Sequence, residues 1–187
     1  LLTPPAAPAF QAFSVQTGRG GMSMGVPFAP RAVWRVDGFG GVWQGHGGEP
    51  RVVRSTLAGD TLLEIVLRLE PAPVTQDELD EWLTQPGVAR CREMGGRLGV
   101  GRIPRPKPFF DDLVVDPDGH LWVSLPAGPE DVAFGIIDPD GRYLGRLDAT
   151  GLRRDAFVPP VVRNGRLHIV GRDDLGVQRV YVFRIER

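Results

Sequence analysis

From residue 31 onward the apolar residues of the chain fall in short runs with period-two alternation, separated by clusters of Gly, Asp, Asn and Pro. That pattern predicts β-strands joined by tight turns rather than helices. The clearest stretch is Leu113-Val114-Val115, then Asp116-Pro117-Asp118-Gly119, then Leu121-Trp122-Val123. Proline presets φ at the first corner of such a turn, and glycine accepts the left-handed conformation that closes it. A second hairpin follows at once, with Val132 to Ile137 and Tyr143 to Leu147 flanking Asp138-Pro139-Asp140-Gly141. Two hairpins in series make a four-stranded antiparallel meander, the unit of a β-propeller blade.

The pattern recurs on both sides. Upstream, strands are expected near 32–37 and 41–46 around Gly38-Phe39-Gly40-Gly41, and near 51–57 and 61–69 around Ala58-Gly59-Asp60. In the central stretch they are expected near 112–116, 120–125, 131–137 and 142–148, and downstream near 159–163, 166–171 and 178–186, with Asn164-Gly165 as a hairpin dipeptide. Leu121 and Leu167 occupy matching places 46 residues apart, close to the ~40–45 residue period of some propeller repeats. Between the first and second copies lies an insertion. Thr75-Gln76-Asp77-Glu78 has the form of a capping box, and Leu79, Trp82 and Leu83 follow at helical spacing. A helix is expected within 75–85, a shorter one over about 86–94, and a proline-punctuated return to the sheet after Gly101.

The expected fold class is therefore all-β: a partial β-propeller of four-stranded antiparallel blades with a short helical insertion. Its parts are 1–30, a linker and the remnant of a preceding blade; 31–70, a blade; 71–110, the helical and proline-rich insertion; 111–150, a blade; and 151–187, an incomplete final blade. The chain has 187 residues and starts at Leu1, which leads us to expect further blades before it. The last strand would then expose an edge.

Composition changes this picture little. Gly and Pro number 25 and 18, above average usage but below the level that signals disorder. The net charge of −1 gives no electrostatic footprint for nucleic acid or an anionic membrane. Lys107 is the only lysine beside 21 arginines, which are spread along the whole chain and read as a composition bias. Cys91, the only cysteine, excludes an intramolecular disulfide and a cysteine-built metal site. No apolar run approaches the ~20 residues of a transmembrane helix.

The stretch Val115-Asp116-Pro117-Asp118-Gly119-His120-Leu121-Trp122-Val123, followed by Ile137-Asp138-Pro139-Asp140-Gly141, resembles the repeat of six-bladed propellers of the NHL-repeat, TolB-like type found in bacteria. The best match covers 111–148, with looser matches over 31–69 and 156–187. Gly38-Phe39-Gly40-Gly41 and Asn164-Gly165 depart from the Asp-Pro-Asp-Gly turn but keep turn chemistry. The resemblance implies a periplasmic, cell-envelope or secreted location. It says little of function, since propellers host many activities.

Several motifs invite chemistry and are better read as structure. Asp116 and Asp118 lack the twelve-residue continuation and terminal Glu of a calcium-binding helix–loop–helix. The Gly-rich stretch 18–25 lacks the Gly-Lys-Ser/Thr ending of a phosphate-binding loop. His46, His120 and His168 fall in three successive repeats, spread around a ring rather than gathered. Trp43 and Trp122 hold equivalent positions and are expected to pack between blades. No cofactor and no metal is implied.

The candidate site is geometric. First strands of blades line a propeller's channel, so Arg31, Asp111 and Asp112, at the start of two such strands, form a candidate ligand-binding group at a channel mouth. Paired carboxylates there could bind a cation or act as acid and base. The expected function is non-catalytic binding or scaffolding of a protein, peptide or glycan. The alternative is a propeller hydrolase or lactonase with a metal at the channel.

Overall fold

The computed structural model describes residues 12–17, 20–128, 130–155, 158–173 and 175–185. The linker expected over residues 1–10 lies outside them, as do Gly18 and Arg19 of the glycine-rich stretch. The fold is all-β in character, built from antiparallel sheets. The strands are β1 (Ala12–Thr17), β2 (Gly20–Gly25), β3 (Ala32–Val36), β4 (Gly41–His46), β5 (Arg51–Thr56) and β6 (Thr61–Val66). After the helices α1 (Gln76–Thr84) and α2 (Pro86–Glu93) come β7 (Asp112–Val115), β8 (Leu121–Leu125), β9 (Asp131–Ile137) and β10 (Tyr143–Thr150). The last group is β11 (Arg153–Arg154), β12 (Val161–Arg163), β13 (Arg166–Arg172) and β14 (Gln178–Arg184).

Strands β3 to β6 form one four-stranded meander and β7 to β10 a second, each paired in chain order. In the last sheet β11 and β12 share one edge of β13, so the sheet is only three strands deep. Strand β11 was not anticipated, because two residues carry no readable alternation. Strand β14 pairs with β13 alone and leaves its other edge free among the described strands.

The sheets stack face to face in series. One core lies between the first and middle sheets, around Trp43, Val52, Leu113, Leu121 and Val123. A second lies between the middle and last sheets, around Trp122, Phe134, Leu167 and Ile169. The middle sheet is thus covered on both faces, and Leu121 to Ser124 are buried without a break. The outer sheets bury one face each: β3 and β6 alternate between exposed and half-buried positions. Trp43 and Trp122 both pack between sheets, as their equivalent places in the repeat suggested. The first strand of the middle sheet, β7, touches β3 on one side and β12 on the other.

The insertion forms a third, smaller core. Thr75 caps α1, its hydroxyl accepting from the Glu78 amide while the Glu78 carboxylate accepts from the Thr75 amide. Glu78 also takes Lys107 Nζ at 2.5 Å, tying the helix to the returning segment. Trp82 and Val88 pack on Phe13 and Val26. The hairpin β1–β2 is a separate two-stranded sheet whose apolar side rests on the inserted helices, a packing that period-two alternation alone could not forecast. No described helix is long and apolar enough to cross a membrane.

Candidate functional site at the inner strands

Four hairpins share one device. At Asp37, Asp116, Asp138 and Asp173 a carboxylate oxygen accepts from the backbone N–H groups two and four residues ahead. Three residues after each Asp a glycine takes the left-handed conformation, with φ of 80° at Gly40, 88° at Gly119, 89° at Gly141 and 76° at Gly176. The first copy therefore begins at Asp37, one residue before Gly38, and keeps a turn aspartate that Gly38-Phe39-Gly40-Gly41 alone does not contain. The Asp173 copy, without proline, was missed.

The second carboxylate oxygen of each Asp serves as a socket. Asp37 takes Arg54 Nε at 2.8 Å, Asp138 takes Arg142 Nε at 3.0 Å and Asp173 takes Arg179 Nε at 2.6 Å. Asp116 instead takes the Trp122 indole N–H at 3.2 Å and His120 Nδ1 at 3.0 Å. Ligand atoms of Asp116, Asp118 and His120 lie within 4.8 Å of one another. The Asp116 carboxylate is already engaged by these donors, so the group is first a hairpin lock.

The first strands of the sheets hold a different arrangement. Arg31 directly precedes β3, Asp111 directly precedes β7, and Asp112 opens β7. Arg35 on β3 donates from Nη2 to Asp112 Oδ1 at 2.5 Å. From the other side, Arg154 on β11 donates from Nη1 to Ser124 Oγ at 3.2 Å and reaches Asp112 Oδ2 at 3.5 Å. Three sheets thus contribute to one row, Arg35–Asp112–Arg154, with Arg31 and Asp111 beside it. Neither Arg35 nor Arg154 was singled out from the sequence. Alternation shows which residues share a face, but not which face meets a neighbouring sheet.

Two groups in this row are left open. Arg154 Nε is buried with no acceptor among the described residues. The Asp111 amide donates to the Ser124 carbonyl at 2.9 Å, while its carboxyl group makes no described hydrogen bond. Asp111 is exposed at the start of β7, with Arg31, Arg154 and Asp112 close by. Loss of water raises its pKa above the ordinary carboxylate value, despite the opposing pull of Arg31 and Arg154. Burial likewise lowers the Arg154 pKa, opposed by Asp112 and Asp111. Asp37 is the reverse case: its side chain is sealed from solvent contact. Burial raises its pKa, and the Gly41 amide, Arg54 and the Phe39 amide together outweigh that and lower it.

No known protein family matches the chain, and no curated protein is similar to it. Among solved structures, it is similar to a protein of unknown function from Bacteroides caccae, whose crystal structure was determined at 1.35 Å. The identity is 15% and the TM-score 0.40, over 93% of this chain and 54% of that one. The chain spans about half the length of that protein.

Proposed function

We propose that the chain is an arc of a β-propeller of the NHL-repeat, TolB-like type, acting as a non-catalytic binding module in the bacterial envelope. Its ligand is a carboxylate-bearing peptide or glycan held at the inner strands. Support for the propeller comes from meanders stacked face to face with their first strands adjoining, together with the repeat resemblance. The observation that carries the binding reading is the open pair at this wall. The unused Arg154 Nε and the free Asp111 carboxyl lie within electrostatic reach of each other. Guanidinium forks favour planar carboxylates, and part of the Arg154 side chain keeps contact with solvent at this wall.

Titration calorimetry with acidic peptides against their amidated forms, and with oligogalacturonate against neutral oligosaccharides, tests this. We expect binding that requires the carboxylate and is lost in Arg154→Gln. Protonation of Asp111 removes a negative charge beside the site, and its raised pKa places that event above the ordinary carboxylate range. Affinity should therefore rise as pH falls toward the carboxylate range. Asp111→Asn should bind tightly throughout and lose that dependence. Absence of binding by every member of the panel overturns the reading. So does hydrolysis of an ester or lactone panel with stoichiometric metal, which would favour the carboxylate pair as acid and base.

A further inference from the structure

The two joints between sheets follow one rule. Trp43 of the first sheet shares a core with Leu121 of the middle sheet, and Trp122 of the middle sheet shares one with Leu167 of the last. Val42-Trp43, Leu121-Trp122 and Leu167-His168 hold corresponding places in the three sheets. Successive residues of a strand point to opposite faces, so each joint sets the second member of one pair against the first member of the next. The chain is left with both halves of one more such joint. One is the Val42 face of the first sheet, and the other is the His168 face of the last.

Both free faces are apolar where they are exposed. On the first sheet Trp34, Val36, Leu62 and Val66 are each at least half exposed around the buried Val42, which stands directly opposite Val36. On the last sheet Val161, His168 and Val182 form one row across three strands, and Val170 stands opposite Val180 beside it. Val161, Val180 and Val182 are again at least half exposed.

Charge is complementary as well. Arg163, Arg166 and Arg184 make a further row on the last sheet's free face, at its Asn164-Gly165 end, and none has an ion pair among the described residues. Within the chain, turn ends of the same kind stack on one another: a Cβ on Gly119 would lie 3.1 Å from the Phe39 ring. At that end of the first sheet Asp60, in the β5–β6 turn, is an exposed carboxylate with no ion pair among the described residues.

We propose that the chain associates head to tail with a second copy of itself, the His168 face of one copy packing on the Val42 face of the other. The joint continues the stacking already present twice within the chain, and it brings the arginine row toward the Asp60 turn. Exposed apolar faces of this kind mark association surfaces. Because the two faces differ, the contact is heterologous and never pairs a face with itself. Neither face includes Arg154 or Asp111, so this association and ligand binding at the first strands fail separately.

The test uses the full chain and light scattering on a sizing column. At about 100 µM the mass should be at least twice the 20.4 kDa of one chain. Trp34→Lys/Val36→Lys blocks the first-sheet face, and Val180→Lys/Val182→Lys blocks the last-sheet face. Each variant alone should run as a monomer. Their equimolar mixture should give a dimer and nothing larger, since one intact copy of each face remains. Recovery in the mixture also shows that both variants are folded. Val100→Lys, at an exposed position of the inserted segment, should associate as the parent chain does. The milder Val36→Thr and Val182→Thr keep the β-branched shape, and each should weaken association at least about threefold. A parent chain that is monomeric at the stated concentration overturns the proposal. So does a lysine variant that dimerises alone, the mark of a face pairing with its own kind. A mixture that stays monomeric, although both variants unfold cooperatively on heating, overturns it too, as do threonine variants that associate like the parent.

Discussion

The first and middle sheets start from the same turn and complete it differently. In both, an aspartate locks its own hairpin through two backbone amides, and a tryptophan follows six residues later. In the middle sheet the Trp122 indole donates to that aspartate. In the first sheet Arg54 takes the place, its guanidinium lying 5.8 Å over the Trp43 ring, and the buried Trp43 Nε1–H is left without a partner among the described residues. The backbone half of the device is therefore invariant, and the side-chain half is a socket that accepts what the next strands offer. An indole suits a sheet covered on both faces, because it brings no charge into the core. A guanidinium suits an outer sheet whose rim still meets water.

Removing the aspartate should separate the two cases most. Asp116→Ala leaves the buried indole, the His120 ring and two amides without their acceptor. It should cost about 3 kcal/mol in urea unfolding, given roughly 1–3 kcal/mol for orphaned buried donors. Asp37→Ala leaves two amides and Arg54, whose side chain keeps contact with water, and should cost about 2 kcal/mol. A reversed order would show that the charged partner, not the indole, dominates the socket.

Next in size are the glycines that close the turns. Gly40 and Gly119 both have positive φ, where a Cβ costs about 1–2 kcal/mol. A Cβ on Gly40 meets nothing within 4 Å, whereas one on Gly119 would sit 3.1 Å from the Phe39 ring and 3.3 Å from Pro139. Gly119→Ala should therefore destabilise more than Gly40→Ala. Equal losses would mean that Phe39, which is exposed, swings aside freely.

The smallest expected effect is on the acid limb of stability. The Asp37 pKa is lowered by folding, so its contribution is present above the unfolded carboxylate value of about 3.9 and is lost as pH falls through the lower folded value. Asp37→Asn should flatten the loss of stability below about pH 4 relative to the parent chain. Since the proton uptake of Asp111 has the opposite sign, Asp111→Asn should leave that acid limb in place. If Asp37→Asn leaves the acid limb unchanged, the lowered pKa contributes nothing to it.

Much of the sheet architecture was legible. Expected strands coincide with β3 to β10 and β12 to β14 within a few residues, because turn chemistry and alternation agree there. The capping box at Thr75 and Glu78 was legible for the same reason: both partners lie within one turn of chain. What escaped depends on long-range contact. The 21 arginines read as a bias of composition, yet Arg54, Arg142 and Arg179 each fill an aspartate socket. Arg31, Asp111 and Asp112 were marked by their place at strand starts. Arg154 carried no mark, since its strand is two residues long and its partners are 30 and 42 residues away.

The free edge of β14 has a consequence for the chain in concentrated solution. Val180, Tyr181, Val182 and Phe183 make a β-branched and aromatic segment with one backbone edge unpaired among the described strands, and Val180 and Val182 are exposed. Such a segment templates intermolecular strand pairing and fibril growth unless charges flank it. Arg179 and Arg184 stand at its two ends and act as gatekeepers against that growth.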